Sequence, residues 1–273
     1  MKIAALSDIH GNNVALDAVI DDIKKQSINH IFILGDMISD FSQSTKSIMN
    51  TVKSLPAYII RGNREGYMIG NADGEYGDSW NRFNQFSTNL ETWKQLDSDD
   101  FEYICSLPKQ ISLDFGSLSI RIVHGSPFSE FDTLKEGEDD LICRSAEAIK
   151  EKILLCGHTH RPMIKTVGEK MIINVGSVGL NFDKNESAQY MIIEHIGKET
   201  NFTIRKVPYD YTAFKKACDT EDVWVKLCLK SIEDGVNYNM AFLEEAQTHC
   251  HEWPIPNEIW VKMADEWTEK GII

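Results

Sequence analysis

Five short stretches of this chain carry the side chains best suited to metal chemistry: Asp8-x-His10, Gly35-Asp36, Gly62-Asn63-Arg64, His124, and Gly157-His158-Thr159-His160. In the last of these the two histidines are two residues apart, so on extended backbone their imidazoles project to the same side and offer paired ligands. The donors are imidazoles, carboxylates and one amide, with no sulfur. That set suits first-row divalent ions, manganese first among them and iron, zinc, cobalt or nickel as alternatives, better than it suits a thiolate zinc site. Taken singly, each stretch also has a local explanation, such as a helix cap for Asp8 or a turn for Gly62-Asn63. It is the ordered recurrence of all five, each after an apolar run, that points to one shared centre.

The apolar runs are the elements that must position these side chains. Lys2 to Leu6, residues 30–34 and residues 57–60 read as buried strands. They alternate with a helix carrying Val14, Ala15, Ala18, Val19 and Ile23 on one face and with a helix-compatible stretch at 43–54. In open α/β sheets ligands bind beyond the carboxyl ends of the strands, which is where all five stretches fall. Residues 67–104 interrupt the alternation with a glycine-rich, acidic start and an aromatic-bearing helix, read either as a wall over a site or as a helical flank of the core. Residues 111–113 and 118–123 predict a hairpin running into His124, and a helix at about 138–150 precedes the strand 153–156. A second hairpin pairs 163–167 with 170–174, and strands near 188–196 and 200–207 close the sheets. After Pro208 the strand pattern ends. Three amphipathic segments follow, built on Val223, Trp224, Leu227 and Cys228, on Tyr238, Phe242 and Ala246, and on Ile259, Trp260, Met263, Ala264 and Trp267. Their aromatic stripes are read as core or homodimer contact in preference to a substrate lid.

The 273 residues suffice for one large domain with an appendage. A formal net charge of −14 argues against a stable nucleic-acid partner, because displacing phosphate counterions needs a basic track. The six cysteines form no Cys-x-x-Cys pair and several lie in apolar runs, which predicts reduced thiols and a cytoplasmic setting. No apolar stretch approaches eighteen residues, and no hydrophobic signal segment precedes Ser7-Asp8, so no membrane association is expected.

The strings SDIHGN (7–12), LGD (34–36), RGNRE (61–65), VHGSP (123–127), CGHTHRP (156–162) and NVGS (174–177) together resemble the calcineurin-like metallophosphoesterase superfamily over about residues 1–207, in its small bacterial phosphodiesterase form. The resemblance implies a four-layer α/β/β/α sandwich at 1–207, followed by a helical C-terminal extension at 208–273. It also implies two metal ions, one held by Asp8, His10, Asp36 and His160 and the other by Asp36, Asn63, His124 and His158, with Asp36 shared. Two such ions acidify a shared water and clamp phosphoryl oxygens, so hydroxide can attack phosphorus in line. Asp36, Asn63, Arg64 and His124 are the catalytic candidates under this reading. The turn 176–179 is expected to brace the metal-bearing loops in preference to binding phosphate.

One position departs from the family pattern. Where a histidine usually follows Gly-Asn, this chain has Arg64, which cannot act as a general acid near neutrality but can grip phosphate in a fork. Arg64 is therefore expected to clamp substrate, held in place by Glu65, with Arg161, Arg144 and Arg82 as further candidate phosphate contacts. A site without that histidine favours a good leaving group. The expected substrate is thus a small, nucleotide-like phosphodiester or phosphoanhydride, dinucleoside polyphosphates such as diadenosine tetraphosphate included. Two alternatives are an inactive scaffold with this fold, weakened by the presence of all seven ligand residues, and a phosphoprotein phosphatase, weakened because Gly35-Asp36 continues Met37-Ile38-Ser39-Asp40 and not Asp-Arg-Gly.

Overall fold

In the first strand Ile3 and Ala5 enter one buried group while Ala4 and Leu6 enter another, so a strand with two apolar faces lies between two layers. The computed structural model, which describes residues 1–184 and 186–273, builds the molecule outward from this strand. The N-terminal half runs β1 (Lys2–Leu6), α1 (Asn13–Lys25), β2 (His30–Ile33), α2 (Thr45–Ser54), β3 (Ala57–Ile59), α3 (Asn63–Ala72), α4 (Ser79–Arg82), α5 (Ser87–Gln95) and α6 (Ser98–Ser106). It continues with β4 (Gln110–Asp114), β5 (Ser119–Val123), α7 (Asp139–Ala148), β6 (Ile153–Cys156), β7 (Met163–Val167), β8 (Lys170–Asn174), β9 (Ser187–Ile196) and β10 (Glu199–Pro208). Four helices complete it: α8 (Tyr211–Ala217), α9 (Val223–Asp234), α10 (Tyr238–Cys250) and α11 (Asn257–Glu269).

The strands form two five-stranded mixed sheets, ordered β10-β9-β1-β2-β3 and β4-β5-β6-β8-β7. Ile3, Phe32, Ile120, Ile122, Leu155 and Ile193 fill the space between them. The outer face of the first sheet packs on α1, α2 and the helices of the 67–104 region, and that of the second on α7, through Leu154, Ile142 and Ala146. These are the four layers that the sequence implies. The strand boundaries fall within a residue or so of those read from periodicity.

The 67–104 region both flanks the core and walls a cavity. Met68, Trp80 and Ile104 are buried against the first sheet, while Tyr67, Tyr76 and Gln85 face a cavity beside the five ligand-bearing loops. The three amphipathic segments after Pro208 form α9, α10 and α11. The additional helix α8 escapes the periodicity because its seven residues bury only Tyr211 and Phe214. All four pack into a group of their own that also takes in Phe41, Leu180 and Phe182 from the sheet loops. No helix among the described residues is long and apolar enough to cross a membrane, and all six cysteines are free thiols.

Asp22 shows how α1 is fixed to the first sheet. Its carboxylate accepts from Tyr190 Oη at 2.7 Å and from Arg205 Nε and Nη2 at 2.8 Å each. The Arg205 hydrogen bonds hold the Asp22 pKa below the ordinary 3.8. A lowered carboxylate pKa contributes stability above the unfolded value, and that stability is lost as pH falls through the folded one. Asp22→Asn is accordingly expected to cost about 1 kcal/mol in urea unfolding at pH 7, discounted for the exposed arginine. The difference from wild type should shrink toward pH 3, and a pH-independent difference would exclude this origin.

Candidate active site

Each of the five stretches leaves the carboxyl end of a strand, from β1, β2 and β3 in one sheet and from β5 and β6 in the other, and the sandwich brings them to one edge. All seven expected ligand residues meet there. Ligand atoms of Asp8, His10 and His160 lie within 4.8 Å of one another, and so do those of Asp36, His124 and His158. His10 Nε2 and His160 Nε2 face each other at 3.1 Å, with Asp8 Oδ1 3.6 and 3.3 Å away. In the second group His124 Nε2 stands 3.0 Å from Asn63 Oδ1 and 3.3 Å from Asp36 Oδ2. Asp36 Oδ2 also faces His10 Nε2 at 3.7 Å, so one carboxylate oxygen looks into both groups.

Three of the four rings are aimed by their far nitrogens. His10 Nδ1 is hydrogen-bonded to Asp40 Oδ2, His124 Nδ1 to the Leu34 carbonyl at 2.7 Å, and His160 Nδ1 to the Leu180 carbonyl at 2.5 Å. Ligating histidines are held in this way, with Nε2 turned toward the ion and the other nitrogen donating to the protein. Asp8 Oδ1 is buried and has no hydrogen-bond partner, an arrangement that costs free energy in a metal-free protein and is relieved by a cation. These donors therefore fit divalent ions. The sulfur of nearby Cys156 points elsewhere, toward the Ile173 carbonyl.

Backbone and charge add two observations that no residue pattern reveals. Asp8, His10, Asp36, His158 and His160 all adopt positive φ, between 49° and 67°. Non-glycine residues rarely do so, and such strain concentrates at functional sites where the surrounding structure enforces it. Burial alone would lower the histidine pKa values. The carboxylates of Asp40, Asp8 and Asp36 nevertheless raise His10 to about 10, and Asp36 raises His124 to about 9. His158 goes the other way, to about 4, through burial and the neighbouring His124. Asp8 and Asp36, although fully buried, are held well below the ordinary carboxylate range by the histidines around them.

The glycines of these stretches permit the close approach. A Cβ on Gly157 would lie 1.9 Å from Ser7 Oγ and 2.6 Å from Asp8 Oδ2, and one on Gly62 would lie 2.3 Å from Asp36 Oδ1. Gly157→Ala must push the His158 and Asp8 loops apart. It is expected to leave a folded protein whose melting temperature no longer rises when divalent metal is added; a normal rise would show that the loops tolerate the separation. Ser177 Oγ donates to the Asp8 carbonyl and accepts from Leu180 N, so the turn at 176–179 braces these loops.

Glu65 does not hold Arg64. Its carboxylate instead accepts from the backbone N–H groups of Asp36, Met37 and Gly62 at 2.8–2.9 Å, tying two ligand loops together. Adjacent residues on a helix point in different directions, which is why the pairing fails. Arg64 lies against Asp40, Nη2 to Oδ1 3.2 Å, and its guanidinium sits 5.8 Å from the Tyr67 ring centroid while lining the cavity. Asp40 is thus a junction that the sequence reading missed: it meets His10, Arg64 and the indole N–H of Trp224 at 2.5 Å. Arg64 and His10 hold its carboxyl at about 2 despite burial. Its only sequence signal is an acid four residues after Asp36 and next to Phe41. Of the three further arginines, Arg161 lines the cavity and donates to the Gly235 carbonyl, whereas Arg144 pairs with Asp140 and, like Arg82, lies outside the lining.

The sequence profile of the Calcineurin-like phosphoesterase superfamily domain matches residues 1–197. An uncharacterized protein of Methanocaldococcus jannaschii is 25% identical over 227 residues, covering 76% of this chain and 88% of that protein. A metallophosphoesterase from Sphaerobacter thermophilus has a similar fold, with a TM-score of 0.69 at 23% identity over 86% of this chain and 99% of its own. A hypothetical protein from Pyrococcus horikoshii gives 0.68 at 22%, over 83% and 97%. The layered sheets, the convergence of imidazoles and carboxylates at their edge, and the profile match lead to one conclusion: the chain belongs to the calcineurin-like phosphoesterase superfamily, a family of metal-dependent phosphoesterases.

Proposed function

We propose that this phosphoesterase hydrolyses a small phosphodiester or phosphoanhydride, dinucleoside polyphosphates included. Asp8, His10, Asp36 and His160 would hold one divalent ion, and Asp36, Asn63, His124 and His158 a second, with manganese the first candidate. When bound, two such ions supply Lewis acidity toward a phosphoryl group and acidify water. Residues 1–207 carry these ligands, the helices after 208 complete the cavity, and the free thiols suit a reducing cytoplasm.

The observation that carries the reading is the cavity itself. Its volume is about 810 Å³, and it is walled by the ligand loops, by the 67–104 region and by α9 and α10. A recess of that size takes a small molecule, and helices on two sides leave poor access for a folded phosphoprotein. Within it Arg64 presents a permanently charged fork to phosphoryl oxygens, with Asp40 fixing its position. The position after Asn63 offers no proton, so the leaving group must depart without help from that residue, as a phosphate does from an anhydride.

The test is a panel of phosphomonoesters, cyclic nucleotides, activated diesters and dinucleoside polyphosphates, assayed with manganese and with other divalent metals. Diesters or anhydrides should be preferred; turnover confined to monoesters would overturn the reading. On the best substrate Arg64→Ala is expected to lower kcat/KM by roughly a hundredfold, and an unchanged kcat/KM would remove Arg64 from substrate binding.

A further inference from the structure

We propose that the part of the cavity bounded by Gln85, Phe86, Trp80 and Trp253 is a subsite for a planar ring bearing hydrogen-bond acceptors, the class to which nucleobases belong, with Gln85 as its specificity-determining donor. The proposal rests on the phosphohydrolase reading above and names the organic group attached to the phosphate.

Gln85 lies in the single turn of 3-10 helix at Asn84–Phe86, is 6% exposed, and lines the cavity. Its Oε1 accepts from Ile255 N at 2.8 Å. That bond fixes which end of the carboxamide is which, because a backbone N–H requires the oxygen and not the NH2. Gln85 Nε2 is left buried without a partner. A buried amide donor is ordinarily satisfied, and one left unpaired on a side chain of a cavity wall is a place prepared for an acceptor brought by a ligand.

The surroundings specify what carries that acceptor. Phe86 and Trp253 meet edge to face at 6.3 Å, and Trp253 is 57% exposed. Tyr76 and Trp80 stack at 5.7 Å with planes 11° apart, and Tyr67 links Tyr76 to Arg64 through contacts of 6.2 and 5.8 Å. Ring faces therefore lead from the arginine beside the ligand clusters to the neighbourhood of Gln85. Aromatic side chains and a neutral carboxamide donor in one cavity wall suit a stacked heterocycle. A second phosphate would need cations in that place, and an aliphatic chain would leave the amide unpaired.

The wall is also built to hold its shape. Besides the Gln85–Ile255 bond, Asn257 Nδ2 donates to the Arg82 carbonyl at 2.8 Å and Asn84 N donates to Asn257 Oδ1 at 2.9 Å. The start of α11 thus clamps the segment that bears Gln85, and the C-terminal helices become part of substrate selection.

Two substrates that share a p-nitrophenolate leaving group test this on the metal-loaded full chain: the p-nitrophenyl ester of thymidine monophosphate and bis-p-nitrophenyl phosphate. The thymidine ester should have the higher kcat/KM. Gln85→Glu keeps the acceptor for Ile255 N and replaces the donor, and should cut the ratio of the two kcat/KM values about tenfold. Trp253→Ala, at a position 57% exposed, should cut the ratio similarly. Equal kcat/KM values in the wild type, or an undiminished ratio in both variants, would overturn the subsite. Should neither substrate be turned over with any divalent metal, the phosphohydrolase reading is what fails. The subsite then stands on quenching of tryptophan fluorescence by adenosine, present in the wild type and lost in Gln85→Glu, and falls if adenosine causes no quenching.

Discussion

Asp36→Asn is expected to abolish the rise in melting temperature on adding divalent metal and to lower turnover by about 10³-fold or more, equivalent to about 4 kcal/mol of transition-state stabilisation. One oxygen of this carboxylate faces His124 Nε2 at 3.3 Å and His10 Nε2 at 3.7 Å, so it serves both ligand groups. Its other oxygen accepts from Arg64 N at 2.8 Å, which fixes the rotamer. An asparagine in that rotamer turns an NH2 group toward two imidazoles and removes the negative charge shared between them. A ligand at a hundredfold excess over its Kd stabilises a protein by about 2.7 kcal/mol, which for a chain of this size is roughly 5–10 °C in Tm. Differential scanning fluorimetry with and without manganese reads this directly, with no need for a substrate. Equal metal-induced shifts in wild type and Asp36→Asn would show that Asp36 is not a shared ligand.

The second large effect is expected at Asp40, which touches no candidate ligand group other than His10. Asp40→Asn leaves the Arg64 guanidinium, 18% exposed, without its carboxylate partner and weakens the orientation of His10. Removing one member of a buried ion pair costs about 3–5 kcal/mol, and loss of a residue that orients a metal ligand costs about 10–100-fold in metal affinity. Both should appear, as a lower melting temperature without metal and as weaker metal binding by calorimetry. Trp224→Phe removes the indole donor to Asp40, with part of the ring stacked on Trp260, while leaving the Asp40 carboxylate in place, and should give a milder loss of metal affinity, although Trp224 lies on α9, outside the matched family region. An Asp40→Asn variant with wild-type metal affinity would mean that His10 is oriented by its packing alone.

Asp40 and Trp224 tie the C-terminal helices to the ligand loops. The same helices border the cavity through Trp224, Cys228, Met240 and Leu243 and build their own core on Phe41, Leu180 and Phe182. The aromatic stripes of α9 to α11 are core, as their periodicity suggests, and Trp224 and Cys228 of the first stripe are cavity wall as well, joined by Met240 and Leu243 of α10. Core packing and cavity wall are shared by the same helices, so a choice between core and lid could not have been made from periodicity.

What the sequence determined by itself are the features encoded locally. Apolar runs fixed the strands, since an alternation such as that of Ile3, Ala4, Ala5 and Leu6 can only be buried on both faces. The convergence of the candidate ligand residues was legible because each closely follows such a run, and strands joined in α/β order bring their carboxyl ends to one edge. Only the tertiary structure decided the partners. Arg64 went to Asp40 and not to Glu65, Glu65 took the backbone of a loop 28 residues away, and Asp40 took an indole 184 residues away. It also set five of the candidate ligand residues at positive φ and left Gln85 Nε2 buried without a partner in a cavity wall. The physical reason is range: periodicity and turn chemistry act over a few residues, whereas a buried charge or amide is satisfied by whatever group the packing of distant elements delivers to it.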